Sequence, residues 1–169
     1  QEVSKPALAH LLKDPRIRQS WYSSEEDLTN WGGHVFATMM LLSKDRFTSS
    51  NLGPSWRVKF PSRFGRDALC CDIFVPSLSS AADTSTKTSQ LRLINVHLDS
   101  LPIQPSKRPE QLSTVAGLLR ETGQGLVAGD FNPVLPEDDT HVQGNGLVDA
   151  WLALHNSEPG FTWGEFGSA

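Results

Sequence analysis

Apolar residues fall along this chain in short dense runs, and their spacing predicts most of its elements. Ser4-Lys5-Pro6 ahead of Ala7-Leu8-Ala9-His10-Leu11-Leu12 predicts a capped helix with proline in its first turn. Asp14-Pro15 stops it. Residues 21–30 are polar and predict a loop, whereas the dense apolar run at 34–42 predicts a central strand. Arg57-Val58-Lys59-Phe60 alternates, as a strand with one wet face does. Residues 68–75 predict a buried strand, and 91–98 another. Between them, 77–90 is rich in Ser, Thr and Ala with no hydrophobic pattern after Leu78, which predicts a flexible loop. In residues 108–121, Leu112, Val115, Ala116 and Leu119 recur at the spacing of an amphipathic helix. Gly123 and Gly125 end that helix ahead of the strand Gly125-Leu126-Val127-Ala128. Short strands at 146–148 and 161–163 and a short helix at 150–155 complete the pattern. Strands in pairs, with helices between some of them, predict a layered domain of mixed α and β structure.

Composition narrows the function classes. A chain of 169 residues suffices for one domain with a real core. The formal charge of -4 is mild, so no basic excess announces nucleic acid. An anionic substrate would have to be held by a local patch or a metal. Cys70 and Cys71 are adjacent in a strand-like run and therefore face opposite sides. This favours reduced core thiols and an intracellular home over a disulfide framework. No apolar run is long enough to span a membrane as a helix. The chain starts at Gln1 without Met and ends Gly167-Ser168-Ala169, and both ends look cut.

The most informative motif is Gly129-Asp130-Phe131-Asn132, placed where a buried strand stops. Alternation at the end of an extended segment can point Asp130 and Asn132 the same way. Both are hard oxygen ligands of the kind Mg²⁺ takes alongside water and phosphate. An Asx-turn leaving a sheet is the plain structural alternative. His97, alternating with Asn95 on a strand end, has a structural alternative too. Asp149 ahead of Ala150 suits a helix cap. Trp151 reads as core, and Glu137, Asp138 and Asp139 as a solvated loop.

Taken in order, Gln1-Glu2-Val3, Asn95-Val96-His97-Leu98-Asp99-Ser100, Gly129-Asp130-Phe131-Asn132, Leu147-Val148-Asp149-Ala150-Trp151 and Phe161-Thr162-Trp163 form a series. The series resembles the endonuclease/exonuclease/phosphatase superfamily of metal-dependent phosphoesterases. Phe60-Pro61-Ser62, Arg66-Asp67-Ala68-Leu69-Cys70-Cys71, His97-Leu98-Asp99-Ser100 and Arg108-Pro109-Glu110-Gln111-Leu112 are most similar to its 5′-tyrosyl-DNA phosphodiesterase branch. The resemblance implies one α+β domain over residues 1–169, with two packed, mostly antiparallel β-sheets flanked by helices in a four-layer sandwich. It implies Mg²⁺, or Mn²⁺ in its place, held by Glu2. Asp130 would orient the attacking water, Asn132 contact the phosphate, and His97 hold it. Ser100, Arg66 and Trp163 would line the substrate. The implied partner is DNA with a 5′-phosphotyrosyl end, and the implied home the nucleus.

The departures from the pattern also carry information. The family's asparagine upstream of Glu2 and its late Ser-Asp-His are absent, and none of the five histidines stands in for the latter. Little or no activity is therefore expected of this exact polypeptide. Val134 stands where the tyrosyl branch often carries arginine. This keeps open an abasic-site endonuclease, a phosphatase acting on a lipid or nucleotide, and an inactive relative that only binds. A sheet of this type lacking outer strands exposes unpaired edges, so marginal stability or association is expected. A sharp, cooperative melt from a clean monomer would count against that expectation.

Overall fold

The computed structural model describes residues 1–76, 88–155, 158, 160 and 162. A two-residue strand, β1 (Val3–Ser4), runs straight into helix α1 (Lys5–Lys13). The Ser4 hydroxyl caps this helix by accepting from the Ala7 amide at 3.3 Å. Asp14 then does two things. Its backbone N–H closes α1 on His10 and Leu11, while its carboxylate accepts from the Arg16 amide at 2.8 Å and opens α2 (Pro15–Ser20). The stop signal at Asp14-Pro15 is thus also a start signal, because proline suits the first turn of a helix.

Two short antiparallel ladders follow. β1 pairs with β3 (Phe36–Ala37), and β2 (Trp21–Ser23) pairs with β4 (Leu41–Ser43). Among the described residues the main sheet has four strands: β5 (Leu52–Lys59), β6 (Asp67–Pro76), β7 (Thr88–His97) and β8 (Gly125–Asp130), in that spatial order. β5, β6 and β7 are antiparallel neighbours, but β7 and β8 run parallel. A parallel pair needs a long crossover. Helix α3 (Arg108–Thr122) supplies it and ends at Gly123, whose φ of 71° suits a left-handed cap. A 3₁₀ turn (Pro136–Thr140), the short α4 (His141–Gly144) and α5 (Ala150–Leu154) complete the described chain.

The pleat sorts the sheet into two faces, both buried along β6, whereas β8 is largely exposed. On one, Phe60, Ala68, Cys70, Ile94, Val96 and Leu98 pack with Leu112 and Val115 of α3. Arg92 ties the same face to the helix, bonding Asp72 at 2.8 Å, the Leu118 carbonyl at 2.8 Å and Glu121 at 2.6 Å. On the other face, Arg57 reaches the Thr38 carbonyl and Asp67, and pairs with Glu25, which is 1% exposed. Asn95 donates to the Met39 carbonyl at 2.9 Å. The ladders therefore lie against the sheet opposite α3. The result is the expected α+β sandwich, in which the second sheet takes the form of two short ladders.

Several local expectations differ from the structure. Residues 34–42 are not a central strand; they divide into β3 and β4, which belong to different ladders. Residues 21–30 are not simply a polar loop, since β2 lies there and Glu25 is buried against Arg57. The polar composition hid an internal ion pair. Residues 146–148 form no strand. Of the loop expected at 77–90, Thr88 to Gln90 belong to β7, and 77–87 lie outside the described residues, as do Phe161 and Trp163. Trp151 is not core: it is 42% exposed and stacks on His155 at 3.9 Å.

The two thiols follow the sequence reading. Both cysteines are free and buried. Burial pushes the Cys70 thiol up to about 12 and raises Cys71 as well. Native protein is therefore expected to leave a disulfide reagent such as dithionitrobenzoate unconsumed at pH 8, with both thiols released on denaturation. Rapid labelling of the native state would show that the sheet opens locally.

Candidate active site

The site starts from a register. Because β7 and β8 run parallel, their C-terminal ends reach the same edge, and His97 pairs with Asp130. Lateral neighbours in a sheet share a face, so the two side chains project together. Asp130 Oδ2 lies 3.8 Å from His97 Nε2. The imidazole is buried while half of the carboxylate side chain is open to solvent. Burial lowers the His97 pKa and the nearby Arg66 charge lowers it further, against the pull of Asp130 and Glu2. Burial and Arg66 together favour the neutral ring. Its Nδ1 is buried without a partner among the described residues.

Gly129 makes this register feasible. Its φ is 144°, and a Cβ there would sit 1.9 Å from the Val96 carbonyl oxygen and 2.9 Å from Gln1 Nε2. That glutamine side chain donates to Asn95 Oδ1 at 3.2 Å and the Val96 carbonyl at 3.3 Å. Gln1 thereby anchors the start of the chain on β7 and brings Glu2, itself at φ 54°, to the same edge. Glu2 and His97 share a cavity of about 150 Å³ with Trp31, Phe36, Phe64 and Arg66.

Asn132 occupies the turn beyond β8 with φ 47°. Its backbone N–H donates to Asp130 Oδ1 at 3.0 Å, so the Asx-turn and the candidate site are one structure. Its side-chain amide donates to the Leu98 carbonyl at 3.0 Å, and its second amide hydrogen and Oδ1 make no bond among the described residues. Arg66 lies over the rings of Phe36 at 5.4 Å and Phe64 at 5.8 Å. Burial lowers its pKa, opposed by Glu2, Asp99, Asp130 and Asp67. A guanidinium stays charged through such a shift. Ser100 is placed elsewhere, in a small cleft with Arg63, Leu101 and Lys107. Trp163 lies outside the described residues. Asp149 is a helix cap, accepting from the Leu152 amide at 3.1 Å.

Of the residues singled out from the sequence, the structure gathers Glu2, His97 and Arg66 around one cavity and sets Asp130 beside His97, with Asn132 in the following turn. Glu2 and Asp130 offer the hard oxygens that Mg²⁺ favours, with water and phosphate left to fill its shell. Among the described residues, no three His, Cys, Asp or Glu side chains converge into a complete protein cage.

Residues not expected at the site hold it in place. Asp99 is buried and accepts from Ser62 Oγ at 2.5 Å, the Arg63 amide at 3.0 Å and Gln111 Nε2 at 2.9 Å. Asp138, read as solvated from its acidic neighbours, is buried against Arg108 at 2.9 Å. Burial raises its pKa, but the Arg108 bond and the Leu135 and Val134 amides outweigh this and hold the carboxyl below its ordinary range. The signal in the sequence was Arg108 and Gln111, polar residues three apart on a helix whose other inner positions are apolar.

No family model and no curated protein sequence matches the chain. Solved structures do match. The crystal structure of D. rerio TDP2 complexed with single-strand DNA product aligns with 94% of this chain at 23% identity and a TM-score of 0.59. TDP2 from C. elegans aligns with 93% of it at 20% identity and a TM-score of 0.58. The chain shares the TDP2 fold. It spans about half of those chains, 56% of the D. rerio and 43% of the C. elegans TDP2. The likeness to TDP2 supports the resemblance read from the sequence motifs at the level of fold. Among the described residues, no helix is long and apolar enough to cross a membrane.

The fit around Gly129 yields a test. Gly129→Ala should lower stability by about 1–3 kcal/mol from backbone strain alone, with the clash against the Val96 carbonyl added. Denaturant titration measures this. An alanine variant as stable as the parent would show that β8 does not hold this register in solution.

Proposed function

We propose that this chain carries the phosphate-handling centre of a metal-dependent phosphodiesterase that hydrolyses 5′-phosphotyrosyl DNA bonds. The observation that carries the reading is the His97–Asp130 juxtaposition, with Asn132 one turn on and Glu2 on the shared cavity. The motif resemblance to tyrosyl-DNA phosphodiesterases and the likeness to a TDP2 bound to a single-strand DNA product support the substrate class.

Each side chain has a chemical task. The open carboxylate of Asp130 would orient a water and take its proton as the water oxygen bonds phosphorus, while the bond from phosphorus to the tyrosyl oxygen breaks and tyrosine leaves as the phenolate. Neutral His97, protonated at Nε2, would donate to a non-bridging phosphoryl oxygen. The free amide hydrogen of Asn132 would donate to a second one, where negative charge grows in the transition state. Arg66 would add positive charge near the same group, its guanidinium braced against Phe36 and Phe64. Glu2 would hold the divalent cation, Mg²⁺ or Mn²⁺, which when bound supplies charge neutralisation for the phosphoryl oxygens. Such an enzyme would act on DNA, in the nucleus.

A second reading keeps the chemistry and changes the substrate to abasic DNA or to a lipid or nucleotide phosphoester. Val134, 44% exposed beside the Asn132 turn, favours it, because an apolar side chain there offers no charge to a DNA end.

The test is cleavage of a 5′-phosphotyrosyl oligonucleotide with Mg²⁺, run on the protein at its full natural length, rather than on these 169 residues alone, and on the Asp130→Asn variant of the same protein. Release of tyrosine, falling roughly 10²- to 10⁴-fold in the variant, is expected. Absence of cleavage by a folded protein that binds Mg²⁺ would overturn the tyrosyl substrate and leave abasic DNA and phosphate monoesters to be assayed. A folded protein that binds DNA and cleaves none of these would be a binding module.

A further inference from the structure

Two backbone segments carry the candidate catalytic side chains. One leaves β7 through His97, Leu98, Asp99 and Leu101. The other leaves β8 through Asp130, Asn132, Val134 and Leu135. Near the strand ends they touch directly: the Leu98 amide donates to the Asp130 carbonyl at 2.8 Å, and the Asn132 side chain donates to the Leu98 carbonyl. Farther out, one buried side chain bonds the first segment directly and the second through Asp138.

That side chain is Arg108, at the first position of α3 and 2% exposed. On one side its Nη1 donates to the carbonyls of Asp99 at 2.9 Å and Leu101 at 3.1 Å. On the other its Nε donates to both Asp138 oxygens, at 2.9 and 3.0 Å. Asp138 Oδ2 in turn accepts the amides of Val134 at 3.0 Å and Leu135 at 2.8 Å. Gln111, one turn along the same helix, accepts from the Asp99 amide at 3.0 Å and donates to the Pro61 carbonyl at 3.1 Å. His141 Nε2 lies 3.6 Å from Asp138 Oδ1 and completes the surround.

We propose that Arg108 is a positioning residue, which through Asp138 sets the separation between the His97 strand end and the Asn132 turn. Stability alone gives little reason to keep such a pair. Desolvation offsets most of the attraction in a buried ion pair, and apolar replacements of both partners are often as stable. A planar guanidinium, by contrast, presents donors in a rigid fork, and here the fork spans two loops that must stay in register. Displacements on the order of 1 Å at reacting groups cost on the order of 10²-fold in rate, so a rigid strut between the loops matters to turnover. The consequence for turnover rests on the phosphodiesterase reading above. The structural claim does not.

The test uses Arg108→Met/Asp138→Asn. It leaves no uncompensated buried charge, and the asparagine carbonyl still accepts from Val134 and Leu135. Arg108→Lys, which keeps the charge and loses the fork, serves if the double variant does not fold. Hydrogen exchange is followed at the Leu98 amide and the Asn132 side-chain amide, with the Cys71 amide in β6 as reference. Exchange on the order of tenfold faster at Leu98 and Asn132, with Cys71 unchanged, is expected. Unchanged exchange at both positions in a folded variant overturns the proposal, whether or not the protein cleaves any substrate. Where the parent does cleave, kcat should fall on the order of 10–100-fold at unchanged KM. An unchanged kcat overturns the catalytic consequence even if exchange responds.

Discussion

Everything at the candidate site depends on the parallel pairing of β7 with β8. Side chains in a strand alternate between faces, so a slip of one residue would send Asp130 to the α3 face and bring Phe131 or Gly129 beside His97. The register is held from several directions. Gly129 admits the Val96 carbonyl where no other residue could, the Leu98 amide reaches the Asp130 carbonyl, and Gln1 grips β7 from outside. The same constraint requires the α3 crossover, because parallel neighbours cannot be joined by a tight turn. Fold and chemistry are therefore one problem here: the crossover that completes the sheet also delivers Arg108 and Gln111 beneath the loops.

Three buried or nearly buried arginines join the layers. Arg57 links the sheet to Glu25 and the Thr38 carbonyl, Arg92 links it to α3, and Arg108 links α3 to the loops of the site. Each satisfies several acceptors at once, which is how a charge is tolerated away from water. Their carboxylate partners are dispersed along the sequence, at Glu25, Asp67, Asp72, Glu121 and Asp138. None of those acids belongs to the set proposed for chemistry. Glu25, Asp72 and Asp138 are neutralised inside, whereas Glu121 meets Arg92 from the surface and the Asp130 carboxylate is left half open.

What could be read from the sequence follows from how local each signal is. The Ser4 cap, the apolar spacing of α3, Gly123 and the runs in β6 and β7 are decided within a few residues, and the structure agrees with them. The run at 125–128 is a strand but not the buried one expected: β8 ends the sheet order among the described residues, with only Val127 half-buried and Leu126 52% exposed. Residues 34–42 misled because an apolar run reports burial and not which ladder covers it; that depends on Arg57 and Asn95, far along the chain. Asp138 and Glu25 misled for the converse reason. A carboxylate beside polar neighbours reads as solvated until the arginine that neutralises it is located, and both arginines are about thirty residues away. Asp130, Asn132, His97 and Glu2 could be singled out because they sit at strand ends inside short motifs. Ser100 shares such a motif, yet the chain turns after Asp99, with Leu101 at φ 73°, and carries it into a different cleft.

The turn after β8 has a chemical consequence for how this molecule ages. An asparagine side chain is ordinarily lost when the next backbone nitrogen attacks it and closes a five-membered imide. The residue after Asn132 is Pro133, whose nitrogen carries no hydrogen and is already fully substituted. Imide closure is therefore blocked at the one carboxamide that holds the Leu98 carbonyl. The amide at the centre of this turn is protected from spontaneous conversion to a carboxylate, a change that would place an acceptor where the fold requires a donor.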